Sequence, residues 1–337
     1  MHENPSAFTA QRAKARGAVH RLLFLAAVLA MGCSSPATSS NDAGVDAGVD
    51  APIDGTASGC VATKAGTQVV TCAGLSVTVT SPPNCPSGGC GLILDVHGFL
   101  MDADVEDAMT HLRKLGPAAG FVVVQPTAPS GRVPQGPAWL DGDDAAVLAA
   151  VDATEAAFSI DRKRVHVTGL SQGGFMTWRM VCGHADRFAS AAPALAGTAS
   201  CPSGTLNGSC AFSPTARPSR TLPLLFMVGT KDALVPASCT DPERDAIVSA
   251  WALGPKTPVA SGTGYRRERY AGPNGAVLDY VSHDGTATGV LASNGGHCVP
   301  GGDASAPGVW SGLRCDGVTG FDWGQSVVDF FVQHPMP

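Results

Sequence analysis

The sequence predicts an α/β protein: a mostly parallel, doubly wound sheet with helices on both faces, folded as a single domain. Three observations predict it. Short, continuous apolar runs recur at GLILDV from Gly91, FVVVQP from Phe121, RVHVTGL from Arg164 and LPLLFMVG from Leu222, and strands this uniformly apolar belong to a parallel sheet covered on both sides. Helix-like stretches stand between them, near Val105 to Leu115, Asp144 to Phe158 and Gln172 to Gly183, so strand and helix alternate along the chain. The 337 residues, 44% hydrophobic and 15% charged, suffice to bury a core of that size.

The chain opens on different material. Arg12, Lys14, Arg16 and Arg21 precede an uncharged block from Leu22 to Met31, followed by Gly32 and Cys33. A positive start, a short apolar middle and small residues before a cut make residues 1–32 a signal peptide. The block is too short to span a bilayer, so the expectation is export. A new amino-terminal Cys33 would resemble a bacterial lipoprotein, with lipid on that cysteine as the only membrane attachment; ordinary secretion after a small-residue cut is the alternative. Residues 33–58, with the repeat DAGVDAGVDA and no large aromatic or leucine, cannot bury enough apolar surface to offset ordering and read as a disordered tether. Residues 59–337 form the folded domain. It begins with β-like runs at Gln68–Thr71 and Leu75–Thr80, includes a strand-like FASAAPALAG from Phe188, and closes on an amphipathic helix near Trp323–Gln333.

Eleven cysteines, ten without Cys33, suit an oxidising compartment and up to five disulfides. Local pairing suggests Cys60 with Cys72, Cys85 with Cys90, Cys201 with Cys210 and Cys298 with Cys315, leaving Cys182 for Cys239. No CxxC pair or His-Glu-x-x-His helix is present, so no metal site is expected. Without residues 1–32 the chain carries 18 basic and 27 acidic side chains, a net of −9. A nucleic-acid partner is disfavoured, because phosphate neutralisation needs clustered Lys and Arg.

The chemistry gathers around VHVTGLSQGGF, where a strand ends in Gly169-Leu170-Ser171-Gln172-Gly173 and a helix begins. In a chain with 41 glycines a chance match to this five-residue pattern is expected about 0.3–0.4 times, so the flanking strand and helix carry the weight. A serine on such a turn projects above the sheet, and the Gln172 N–H at the helix start faces a developing oxyanion. Serine needs a histidine base, and the histidine needs a carboxylate to hold its tautomer. Asp232, in the turn after LPLLFMVG, is the candidate acid, and His297, in SNGGHCVPGG before the last helix, the candidate base. His283 precedes an Asp-Gly turn and reads as a surface residue. Gly98, in HGF after GLILDV, lets backbone approach a substrate, making the Phe99 N–H the second oxyanion donor and His97 a loop brace. Trp139, in GPAWLDGDD, is the candidate aromatic contact for substrate, with packing in the core or on the surface as the equal alternative.

Together, HGF from His97, GLSQGGFMTWRMVC from Gly169, FASAAPALAG from Phe188, GTKDALVP from Gly229 and GGHCVPGG from Gly295 resemble the α/β-hydrolase esterases that include polyhydroxybutyrate depolymerases and feruloyl or acetylxylan esterases. The resemblance covers about Gly91 to Pro337. It implies an α/β-hydrolase fold, the triad Ser171, Asp232 and His297, hydrolysis of carboxylic esters through an acyl-enzyme, and no cofactor. The family often has threonine and tryptophan after the histidine, where this chain has Cys298 and Val299; that departure bears on the substrate, not the reaction. With one helix after His297, small-molecule or oligomeric esters are expected over crystalline polymer. A peptidase on the same fold and a noncatalytic surface-binding protein are the alternative readings.

Overall fold

The uniformly apolar runs become the middle of a ten-stranded sheet. The computed structural model describes residues 60, 65–83, 85, 89–134, 136–140, 142–197, 212 and 217–337, all within the compact unit Gly55–Pro337. The leader with Cys33, the expected tether, and Cys201 and Cys210 with the bond expected between them lie outside the described residues.

Strands β1 (Gly66–Cys72) and β2 (Leu75–Ser81) form an antiparallel hairpin. Ala73 and Gly74 connect them, both at positive φ, the turn whose twist matches that of the strands. The hairpin pairs antiparallel with β4 (Phe121–Thr127). From there β4, β3 (Gly91–Val96), β5 (Val165–Leu170), β6 (Ser190–Ala194), β7 (Leu224–Gly229) and β10 (Val277–His283) run parallel in that spatial order. The antiparallel strands β9 (Tyr265–Ala271) and β8 (Thr257–Gly262) complete the edge. Every residue of β3, β5, β6 and β7 is buried.

Alternate side chains of the strands point into two separate cores. Leu92 and Leu94 join the core under α3 (Asp144–Phe158), α4 (Gln172–Gly183) and α5 (Ala237–Ala250), where Val147, Trp178 and Ile247 pack. Ile93 faces the other core, under α1 (Ala103–Thr110), α2 (Leu112–Ala118) and α6 (Trp323–Gln333), with Val105, Leu112 and Val327.

Three features depart from expectation. The single helix expected over Val105–Leu115 is two, broken at His111, whose φ is 55°. Asp107 explains the break, because its carboxylate accepts the Arg113 N–H and starts α2 afresh. The strands β8–β10 and α5 were not read from the sequence. β9 is YRRERYA, whose charges hide the strand; Arg267 and Arg269 reach across to the fully buried Asp279 of β10. Finally, Cys60–Cys72, Cys85–Cys90 and Cys298–Cys315 form as expected, but Cys182–Cys239 does not. Both cysteines are disulfide-bonded, yet that bond is not among those of the described residues. Cys182 ends α4, which runs back about 18 Å from its start toward the amino ends of the strands, whereas Cys239 opens α5 just past the carboxyl end of β7. Such a separation exceeds what a disulfide spans.

Candidate active site

The site is built on the carboxyl edge of the parallel strands, where β5, β7 and β10 each end in a turn. Ser171 links β5 to α4 with φ 53° and ψ −114°, a conformation costly for any residue with a Cβ. Two contacts hold it: the Ser171 N–H donates to Ala194 O at 2.9 Å, and its carbonyl accepts the Phe175 N–H at 2.9 Å. The glycines around it are required by backbone approach. A Cβ on Gly173 would lie 1.8 Å from Val96 O, and one on Gly169 2.6 Å from Gly173 O. The start of α4 thus rests directly on the end of β3.

Asp232 and His297 come together as expected. Asp232, 5% exposed, accepts the Leu234 and Val235 N–H groups on Oδ1, both at 2.8 Å, and its Oδ2 lies 2.7 Å from His297 Nδ1. An acceptor-only carboxylate there assigns the proton to His297 Nδ1 and leaves Nε2 as the free basic atom. The two loops are tied by their backbones, Gly296 N–H to Lys231 O at 2.7 Å and Ala233 N–H to Asn294 O at 3.1 Å. Gly295 has φ +60°, and a Cβ there would lie 2.2 Å from Lys231 O. The Cys298–Cys315 bond closes the far side of the His297 loop. Among the described residues no hydrogen bond joins Ser171 Oγ to His297 Nε2.

The two oxyanion candidates are the N–H groups of Gln172 and Phe99. As the first residue of α4, Gln172 has an N–H without an intrahelical acceptor, and its side chain is locked, Oε1 accepting from Trp139 N–H and Nε2 donating to Trp139 O. On the other side, Met101 N–H bonds Gly98 O and Leu100 N–H bonds Pro137 O; neither bond uses the Phe99 N–H. His97 braces this turn. Its Nε2 accepts the Ala128 N–H at 2.9 Å, so Nδ1 carries the proton to Gly98 O at 2.7 Å. Burial pushes its pKa down to about 4, which keeps the ring neutral.

Two site expectations are corrected. Trp139 is fully buried rather than presented to substrate; its Nε1 donates to His97 O at 2.9 Å and its ring packs 4.8 Å from the His97 ring, making it part of the brace. His283 is not a surface turn residue but 1% exposed, because it ends β10 and points inward. Its Nδ1 lies 3.7 Å from Cys315 Sγ. Burial lowers its pKa to about 4, against the opposing charges of Asp232 and Asp284. The ligand atoms of His283, Cys298 and Cys315 lie within 4.8 Å of one another, but both sulfurs are committed to their disulfide.

Beneath the site lies a group the sequence reading passed over. Glu106 of α1 and Asp95 of β3 are both fully buried. Glu106 sits four residues after Asp102, the N-cap of α1, and a glutamate in a first helical turn is ordinary, so its only sequence sign is its closeness to the HGF turn.

The strand order, the strained serine turn and the Asp-His pair at the carboxyl edge define the α/β-hydrolase fold. No protein-family model matches the chain. In sequence it is similar to two polymer-ester hydrolases. It is 29% identical over 167 residues to a bifunctional acetylxylan esterase/xylanase of Neocallimastix patriciarum, covering 48% of this chain and 22% of that protein. To poly(3-hydroxyalkanoate) depolymerase C of Paucimonas lemoignei it is 32% identical over 142 residues, 40% of this chain and 33% of the relative. The matched part thus spans between a fifth and a third of these relatives. Among solved structures, acetyl xylan esterase from Aspergillus awamori superposes with a TM-score of 0.50 at 17% identity, over 64% of this chain and 92% of that one.

Proposed function

We infer that the chain is an exported serine esterase that hydrolyses carboxylic esters through an acyl-enzyme on Ser171. The observation that carries this reading is the buried Asp232–His297 hydrogen bond on the same sheet edge as a serine held in a strained strand-to-helix turn. In this reading Ser171 Oγ attacks the ester carbonyl carbon while its proton passes to His297 Nε2. The carbonyl oxygen, now negative, accepts from the Phe99 and Gln172 N–H groups. As the intermediate collapses, the proton on Nε2 leaves with the alcohol; water then repeats the sequence in reverse and frees the acid. Asp232 stabilises the imidazolium throughout and does not itself take the proton.

Acetylated xylan and poly(3-hydroxyalkanoate) are the substrate classes that the relatives' names support; feruloyl esters rest on the sequence resemblance alone. The leader and the disulfides support export, and Cys33 supports a lipid anchor. Labelling with a fluorophosphonate tests the nucleophile: wild type should be labelled and Ser171→Ala should not. Equal labelling of both, or none of the folded wild type, would remove the acyl-enzyme. A hydrolysis panel of acetyl, feruloyl and hydroxybutyryl esters then ranks the substrates.

A further inference from the structure

We propose that Glu106, buried beside Asp95 under the serine turn, is the positioning residue that holds the two arms of the oxyanion hole against each other. The proposal rests on the esterase reading of Ser171.

Geometry brings Glu106 to this task. The side chain is fully buried on α1, and the helix starts at Ala103, only four residues after Phe99. The Glu106 carboxyl faces the backbone of Gly98, on the arm that carries Phe99, and of Leu170, on the arm that carries Ser171 and Gln172. Those arms already touch: a Cβ on Gly98 would lie 3.3 Å from Leu170 O and 3.4 Å from Ser171 Cβ. Neither Glu106 oxygen makes a hydrogen bond of ordinary geometry among the described residues, and Asp95 Oδ1 is likewise unpartnered. A fully buried, unpartnered carboxyl is costly, so its retention beside both arms calls for a role.

The groups around the pair leave it at least one proton. Asp95 Oδ2 accepts from Thr110 Oγ1 at 3.0 Å and Gln125 Nε2 at 2.7 Å. Arg113 of α2 reaches Gln125 Oε1 rather than either acid, Asp107 of α1 adds further negative charge, and α6 packs Gly324 against Thr110 O. Among the described residues no cation pairs with either carboxyl. Burial first, and then the pairing, push Glu106 well up, and burial raises Asp95 to about 7. A neutral Glu106 can donate its O–H to Asp95 and accept from the backbone on both arms. Ionised, the pair would place full negative charge behind the hole that must receive an oxyanion, opposing the transition state and not the ground state.

The test is the pH profile of kcat and KM on p-nitrophenyl acetate for wild type, Glu106→Ala and Glu106→Gln, normalised to sites titrated with fluorophosphonate. Glu106→Ala should lower kcat about 10²-fold, the cost of a misplaced donor, with KM changed less than threefold. Glu106→Gln, an uncharged isostere, should recover most of that loss and flatten the alkaline decline expected of wild type as the pair gives up its last proton. Circular dichroism identifies an Ala variant that fails to fold, in which case the Gln profile decides. A Gln profile that superimposes on wild type, or an Ala variant that keeps kcat, overturns the proposal. Ser171→Ala in parallel separates the readings: turnover surviving there refutes the nucleophile, whatever Glu106 does.

Discussion

Replacing Asp232 by asparagine separates orientation of the base from the fold. Asp232 Oδ1 accepts two backbone N–H groups, from Leu234 and Val235, both at 2.8 Å. In Asp232→Asn the side-chain carbonyl must stay with those donors, since turning it away would set an NH2 against two amides and cost about 1–3 kcal/mol for each one left unsatisfied. The NH2 therefore takes the place of Oδ2, 2.7 Å from His297 Nδ1, and meets it as a donor. Nδ1 must then accept, the proton moves to Nε2, and the imidazole presents an N–H to Ser171 instead of a base. The fold keeps its turn while the base is lost. A drop in kcat of about 10⁴-fold, ~5 kcal/mol in the barrier, is expected, with a melting temperature close to wild type. Asp232→Ala should lose activity and also melt earlier, because both amides lose their acceptor. Steady-state hydrolysis of p-nitrophenyl acetate with parallel melts reads both. Asp232→Asn protein that stays folded and turns over within tenfold of wild type would refute the tautomer argument and the assignment of the acid.

Four further outcomes are expected. Ser171→Ala and His297→Ala should each cost about 10³-fold or more in turnover, and the double variant little more than either, because they act as one unit; additive losses in the same assay would contradict a shared step. His283→Ala should keep turnover while lowering stability by about 1–3 kcal/mol, read as an earlier melt; loss of turnover in folded protein would move the base there. Opening Cys298–Cys315, a 17-residue separation, with paired serines should cost about 3 kcal/mol, and a variant that melts like wild type would show that the bond constrains nothing. Asp95, raised by burial to about 7, keeps its proton in the folded chain where the unfolded chain has lost it, so its contribution falls as pH rises from about 4 to about 7. Asp95→Asn should therefore gain on wild type across that window, by on the order of 4 kcal/mol at most, and a melting difference that does not vary with pH would exclude it.

What the sequence by itself determined was whatever depends on local patterning. Four mostly apolar runs read as central strands, and the crowding that Gly169 and Gly173 relieve follows from any serine turned that sharply between strand and helix. Chain order after Ser171 also pointed to Asp232 and His297, and close spacing picked three disulfides. The tertiary structure decided the rest, because it depends on what lies across the sheet. The charges of β9 read as loop until Asp279 on the next strand paired with two of its arginines. Cys182 and Cys239 looked like natural leftovers until the helices placed them at opposite ends of the strands. Trp139 and His283 carry polar atoms that suit a surface, and both went inside, Trp139 to bond the His97 carbonyl and His283 to back the Cys298–Cys315 staple. Glu106 has no local mark beyond its closeness to the HGF turn. Its place under both arms of the turn exists only once β3, β5 and α1 have packed, since burial is a property of the assembled core and not of any segment.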